Sequence, residues 1–301
     1  MKPPMVAWLN GEMVDWTEIR VSPLSHAFNR ASAVFEVMSV VEATSGPAVF
    51  CLESHVDRFF SSASHAFMNL PFSKMHIMEA ILATARANDV KSGVVKCYAY
   101  LPDIDLGPIM PKDVSVAVFC LDYRTLGVVH DKYAAPLRVG ISSYRKLHPL
   151  TAPVHAKITG NYTNGFLARM EARARGFDDA LMLDIEGFIA EAPTANVFFV
   201  SKDTVVTPPA ERVLPGITRR VVIGVLEDMG VSVKQERIPP SWLETFDEAF
   251  LSGTLRHVQP ISAVENRTFT NPGPLTRSLV ERMEEIYTGT SKRYRDLLTL
   301  I

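Results

Sequence analysis

The sequence predicts an α+β protein of two domains. Three observations predict it. The chain has 301 residues, more than one small core accommodates. Short runs rich in β-branched residues mix with amphipathic stretches, without the regular alternation of a doubly wound parallel sheet. One polar, aperiodic stretch, Asp122 to Pro136, ends in proline and interrupts the pattern. The expected division is therefore 1–121, a linker over 122–136, and 137–301.

The elements follow in order. Trp8 to Val14 reads as a β-hairpin, because Asn10-Gly11 at its centre supplies the positive φ that a tight turn requires. Val34 to Val41 and Ala48 to Cys51 read as strands. From Glu53 to Met68, Val56, Phe59, Phe60, Ala63, Ala66 and Phe67 recur at helical spacing, and Lys74 to Ala87 is a second amphipathic helix. Val94 to Leu101 and Val114 to Leu121 are strands. Beyond the linker come a strand, Leu137 to Ser143, and a helix from about Asn161 to Arg175 that Gly176 stops. Short strands are expected at Ala180 to Asp184, Asn196 to Val200 and Val205 to Thr207. A helix from Ile217 to Met229 ends at Gly230. Strand Val231 to Glu236, helix Ser241 to Phe246, strand Glu248 to Ser252 and helix Leu275 to Tyr287 complete the chain.

Composition narrows the function classes. Lys plus Arg is 31 and Asp plus Glu 33, a net charge of −2, so nothing asks for nucleic acid or an anionic membrane as partner. Cys51, Cys97 and Cys120 are odd in number, widely spaced and set among apolar residues. A disulfide framework or zinc site needs short paired spacing, so buried reduced thiols in a cytoplasmic protein are expected. No apolar run reaches the ~18 residues that span a bilayer. Met1 to Leu9 lacks the charged and apolar regions of a signal peptide. No G-x-G-x-x-G, Walker lysine loop, G-x-S-x-G or H-E-x-x-H occurs. The histidines are scattered, with His55 and His65 off a common helix face, so no metal site is expected.

Four stretches carry chemistry. In His155 to Tyr162, Lys157 sits between a proline-containing loop and a new helix, with small or apolar neighbours. Most lysines are solvated surface charges, but one held in an apolar pocket loses proton affinity and becomes an amine nucleophile. Gly160 lets another group approach the backbone. In Ile189 to Phe199, Glu191 precedes an apolar strand. It is either an ordinary turn acid or the carboxylate partner of a pyridinium nitrogen. In Leu214-Pro215-Gly216-Ile217-Thr218-Arg219, Pro and Gly open a helix whose first N–H groups and dipole suit a phosphate; the plainer reading is a helix entry capped by Thr218. Ser252-Gly253-Thr254, at a strand end, offers hydroxyl and N–H donors, or is a simple turn.

Taken together and in this order, these stretches resemble the fold-type IV (class IV) pyridoxal-phosphate-dependent aminotransferases, most closely the branched-chain amino acid aminotransferases. The resemblance runs almost the whole length. It begins with W-x-N-G-E-M-V at Trp8 to Val14, then S-H-A at Ser25 to Ala27, V-F-E at Val34 to Glu36 and His55-Val56-Asp57-Arg58. K-x-x-G-N-Y from Lys157, Glu191 to Asn196, L-P-G-I-T-R and S-G-T follow. The resemblance implies a smaller N-terminal and a larger C-terminal domain with pyridoxal 5'-phosphate between them, and a homodimer or higher homo-oligomer. It implies that Lys157 carries the cofactor and shuttles the proton, and that Glu191 partners the ring nitrogen. It implies that Tyr162 bonds the ring phenolic oxygen and that Asn196 supports the site. Arg58 is then a phosphate ligand with Ile217, Thr218 and Thr254 completing the cradle, Leu214 and Gly216 are further cofactor-binding positions, and Phe35, Val37, Gly253 and Thr254 are substrate positions.

The chain departs from the family near the substrate. Asn29-Arg30-Ala31 stands where the family carries an H-Y-G-type stretch, Val37 and Ser39 where it carries glycine and arginine, and Lys96 where it has a strand arginine. Arg30 is either a carboxylate ligand or a surface charge. The expected reaction is transamination of a branched-chain amino acid with 2-oxoglutarate. D-amino-acid and amine transaminases and aminodeoxychorismate lyases share the fold and stand as alternatives. A cofactor-free Schiff-base aldolase leaves the phosphate motif unexplained, and a binding protein that lost the chemistry leaves Lys157 and Glu191 unexplained.

Overall fold

The computed structural model describes residues 6–105, 107, 113–126 and 135–301. The centre of the expected linker, 127–134, lies outside the described residues. The described chain forms two compact units: residues up to 126 with 156–160 and 285–301, and residues 135–155 with 161–284.

In the first unit the hairpin is β1 (Val6–Leu9) and β2 (Glu12–Asp15). Its turn holds Asn10 and Gly11 at φ 49° and 108°. A short helix, α1 (His26–Asn29), is capped by Ser25. The long strand β3 (Val34–Ala43) and β4 (Gly46–Phe50) follow. Then come α2 (Leu52–His65) and α3 (Lys74–Ala87). β5 (Gly93–Tyr100), β6 (Ser115–Asp122) and the four-residue α4 (Tyr123–Leu126) complete this stretch.

The second unit opens with β7 (Leu137–Ile141). Helix α5 (Thr159–Ala174) is followed by β8 (Asp179–Leu183) and β9 (Ile189–Ala192). Next are β10 (Ala195–Ser201), β11 (Thr204–Thr207), α6 (Ile217–Asp228) and β12 (Ser232–Gln235). Strands β13 (Glu248–Gly253), β14 (His257–Val264) and β15 (Arg267–Thr268) lead to α7 (Pro274–Tyr287). The last strand is β16 (Leu298–Leu300).

The first unit is built on a seven-stranded sheet, β16-β4-β3-β5-β6-β1-β2, antiparallel at every neighbouring pair. On α2, Leu52, His55, Val56, Phe59, Ser62 and Ala63 are buried, the i, i+3, i+4 stripe of a core-facing helix. Their apolar members join Val34, Met38, Val95, Cys97, Val116 and Val118 in one core. In the second unit the order is β12-β11-β10-β13-β14-β7-β8-β9, and β9 pairs with β10 as well as β8. Six strands, β10 round to β9, thus close on themselves around Val197, Phe199, Leu251, Ile261, Leu181 and Ile189. All three cysteines are buried, and none forms a disulfide among the described residues. Among the described residues no helix is long and apolar enough to cross a membrane.

The α+β class holds; several boundaries do not. Residues 137–301 are not one unit. β16 pairs antiparallel with β4, which draws the C-terminal stretch to the first sheet, and Ile158 bridges to Val34 of β3. Strands β9, β14, β15 and β16 were not legible, and Ser241 to Phe246 is 3₁₀ rather than α, spanning Pro240–Thr245.

Candidate active site

Two clusters of candidate side chains form, one in each unit. In the first, the segment bearing Lys157 is tied by its backbone to β3 and α2. The Lys157 N–H donates to Ser62 Oγ at 2.9 Å, and its carbonyl accepts from the Phe35 N–H at 3.0 Å. Thr159 and Gly160 then donate to the carbonyls of Ala33 and Ala31. A Cβ on Gly160 would lie 3.2 Å from the Ala31 oxygen, so glycine permits the contact the sequence anticipated. With its backbone fixed, Lys157 directs Nζ to 4.6 Å from the Phe35 ring centroid, a cation–π distance.

Strand alternation sorts the neighbours. Phe35 lies opposite Tyr98, and Val37 opposite Lys96, on β3 and β5. Cross-strand partners share a face, so these four form one patch: Phe35 and Tyr98 stack at 6.0 Å and Lys96 Nζ lies 5.4 Å from the Tyr98 ring. Glu36, the residue between, points to the other face and is fully buried. There it receives two hydrogen bonds from Arg58 of α2, Nε to Oε1 at 2.6 Å and Nη2 to Oε2 at 2.9 Å. His55 Nδ1 lies 2.7 Å from Oε2. Burial alone would raise the Glu36 carboxyl, but the Arg58 charge and hydrogen bonds, with His55, hold it well below the usual range. Burial lowers His55, against the pull of Glu36, so the ring is a neutral donor to the carboxylate. Arg30, C-terminal to α1, is 59% exposed and holds Asp105 at 2.6 Å; the structure places it as a surface ion pair.

In the second unit Glu191 lies within β9 and is buried. It pairs across the ladder with Asn196 of β10, and Asn196 with Ser252 of β13, so the three side chains form a row on one face. Asn196 Nδ2 donates to Glu191 Oε2 at 2.9 Å and to the Leu214 carbonyl at 3.0 Å. The Leu214 N–H reaches Glu191 Oε1 at 3.3 Å. Asn196 thereby fastens the Leu214-to-Gly216 turn to β10, and that turn delivers the start of α6. Gly216 is the N-cap and brings no side-chain cap, with Ile217 and Thr218 buried in the first turn. The Ser252 hydroxyl is buried with no partner among the described residues. Tyr162 stands half-buried in the first turns of α5. Gly253 ends β13 and half-buried Thr254 opens the turn after it, where Arg256 ties the turn to Asp179 at 2.6 Å.

Two residues escaped the sequence reading. Lys146 reaches Glu191 Oε1 at 2.6 Å, because its own N–H is bonded to the Leu183 carbonyl on β8, beside Met182, the ladder partner of Glu191. Its only sequence signal is a charged pair, Arg145-Lys146, just past a strand. Glu36 had a stronger signal, an acid inside an apolar strand, which burial obliges to find a partner.

The chain is similar to known proteins over most of its length. The family model described as amino-transferase class IV matches residues 33–264. A probable branched-chain-amino-acid aminotransferase of Rickettsia felis is 32% identical over 86% of this chain and 86% of its own. A branched-chain aminotransferase of Thermoproteus uzoniensis, solved with norvaline, is similar at TM-score 0.91 and 33% identity over 98% of both chains. One from Thermobaculum terrenum, solved in its PLP form, gives 0.92 and 28% over 99% of both.

Proposed function

The chain belongs to the class IV aminotransferases, and on that premise we propose that it transfers the amino group of a branched-chain amino acid to 2-oxoglutarate with pyridoxal 5'-phosphate as cofactor. The carrying observation is the row in the second unit: a buried carboxylate, Glu191, its amide neighbour Asn196 and the hydroxyl of Ser252, which has no partner among the described residues. A ring nitrogen suits the first, and an orphaned buried hydroxyl calls for a ligand atom. The uncapped start of α6, pressed close by Asn196 at Gly216, suits a phosphate.

The bound cofactor supplies an electron-withdrawing ring that stabilises negative charge on the substrate Cα. The chain does the rest. Lys157 would hold the cofactor through Nζ, and the same amine would take up and return the substrate Cα proton. Its fixed backbone limits the search for that geometry. Glu191, oriented by Asn196 and Lys146, would partner the ring nitrogen. Tyr162 would donate to the ring oxygen. Arg58, Ile217, Thr218 and Thr254 would hold the phosphate, while Phe35, Val37, Lys96, Gly253 and Thr254 would contact substrate. The reading includes a homodimer in the cytoplasm, and buried thiols outside any disulfide agree with a reducing compartment.

The test is turnover of L-leucine, L-isoleucine and L-valine with 2-oxoglutarate, beside D-alanine and a primary amine. Preference for the three branched L-amino acids supports the reading. Turnover confined to D-amino acids or amines overturns the substrate, and pyruvate formed without a keto-acid acceptor overturns transamination.

A further inference from the structure

The strongest unassigned feature is the buried Glu36–His55–Arg58 cluster. We propose that Glu36 is a positioning residue for phosphate recognition: its carboxylate grips one edge of the Arg58 guanidinium and so sets the direction of the other. The inference rests on the reading of Arg58 as a phosphate ligand.

Geometry supports it. Glu36 engages the Nε–Nη2 edge of Arg58 with two near-parallel hydrogen bonds, the bidentate form that fixes a guanidinium in plane and rotation. Glu36 itself cannot swing, being fully buried on an interior strand, β3, and held by His55. A flexible arginine would give up its rotamer freedom on meeting a phosphate; here that loss is taken at folding. Alternation on β3 links the arrangement to the reacting amine, because Phe35, one residue before, carries Lys157 Nζ on the opposite face. Helix α2 links it a second time. Arg58 and Ser62 are one turn apart, and Ser62 accepts from the Lys157 N–H. Glu36 thus bonds the helix that fixes one end of the Lys157 segment and neighbours the ring beneath its amine.

A purely structural Glu36 would weaken all ligands alike, whereas a positioning one discriminates by phosphate. The full chain, stripped of cofactor, is titrated with pyridoxal phosphate and with phosphate-free pyridoxal. Glu36→Gln is expected to weaken pyridoxal phosphate by about tenfold or more, the scale of a lost charge-assisted hydrogen bond, and to leave pyridoxal nearly unchanged. Glu36→Asp keeps the charge on a shorter arm and is expected to show a smaller loss of the same kind; it decides the matter if the glutamine variant does not fold. Equal weakening of both ligands in either folded variant overturns the proposal. Arg58→Ala separates the two levels. If it erases the preference for the phosphate form and the Glu36 variants do not, positioning fails alone. If it leaves that preference intact, the assignment of Arg58 fails and the proposal with it.

Discussion

Lys146 brings its ammonium to 2.6 Å from the Glu191 carboxylate, with only 14% and 6% of the two side chains exposed. A buried ion pair is costly to half-remove, because the charge left behind loses its counter-charge with little water to replace it. Lys146→Met is expected to lower unfolding free energy in urea by about 3 kcal/mol, with a weakened response to the cofactor. The double variant Lys146→Met/Glu191→Leu is expected to lose much less. A single variant as stable as the parent would show that Glu191 does not depend on Lys146.

Gly216 is kept by space, not by backbone strain. Its φ of −63° suits any residue, but a Cβ there would lie 2.2 Å from Asn196 Oδ1. Gly216→Ala must push Asn196 from Glu191 and Leu214, at a cost of about 1–3 kcal/mol for overpacking. Thermal unfolding of Gly216→Ala, Asn196→Ala and their combination checks this. The double variant should lose less than the sum of the two; strict additivity would contradict the contact.

Acid should destabilise the fold in two stages. His55 sits below its ordinary 6.5 because burial disfavours the cation. Glu36 sits below its ordinary 4.5 because Arg58 and His55 outweigh burial. In both cases the unfolded chain binds more protons across the window, so stability rises with pH there. The His55 part is complete above 6.5 and is lost as pH falls below it. The Glu36 part is complete above 4.5 and is lost further down. Urea midpoints should fall from pH 7 to pH 4, and His55→Gln should flatten the upper stage. A midpoint that climbs on acidification would contradict the pairing.

Arg30 is the departure that raised doubt about substrate, and its guanidinium rests on Asp105 at the surface. Exposed pairs contribute little. Arg30→Ala is therefore expected to leave the unfolding midpoint and the KM of each amino acid and keto acid unchanged. A rise in KM for acidic substrates alone would return Arg30 to the substrate site.

The legible parts of this chain were those with local causes. Asn10-Gly11 announced its hairpin, the stripe from Val56 to Ala63 announced α2, and Lys74 to Ala87 matched α3 to the residue. Lys157, Glu191 and the Leu214-to-Arg219 turn were legible as ordered motifs. What stayed hidden depends on contacts distant in sequence. β16 is three residues long and exists because β4 offers an edge. β9 is four residues long and paired on both sides, so Glu191 was read as standing before a strand rather than in one. Lys146 finds its role only once β8 brings the loop beside Glu191.

The most direct test of the central claim is borohydride reduction of the protein loaded with pyridoxal phosphate, followed by peptide mass mapping. The cofactor fixed as a secondary amine on Lys157, and absent after reduction of Lys157→Ala, is the predicted result. A cofactor fixed on Lys96, Lys146 or another lysine, with Lys157 unmodified, would contradict the assignment.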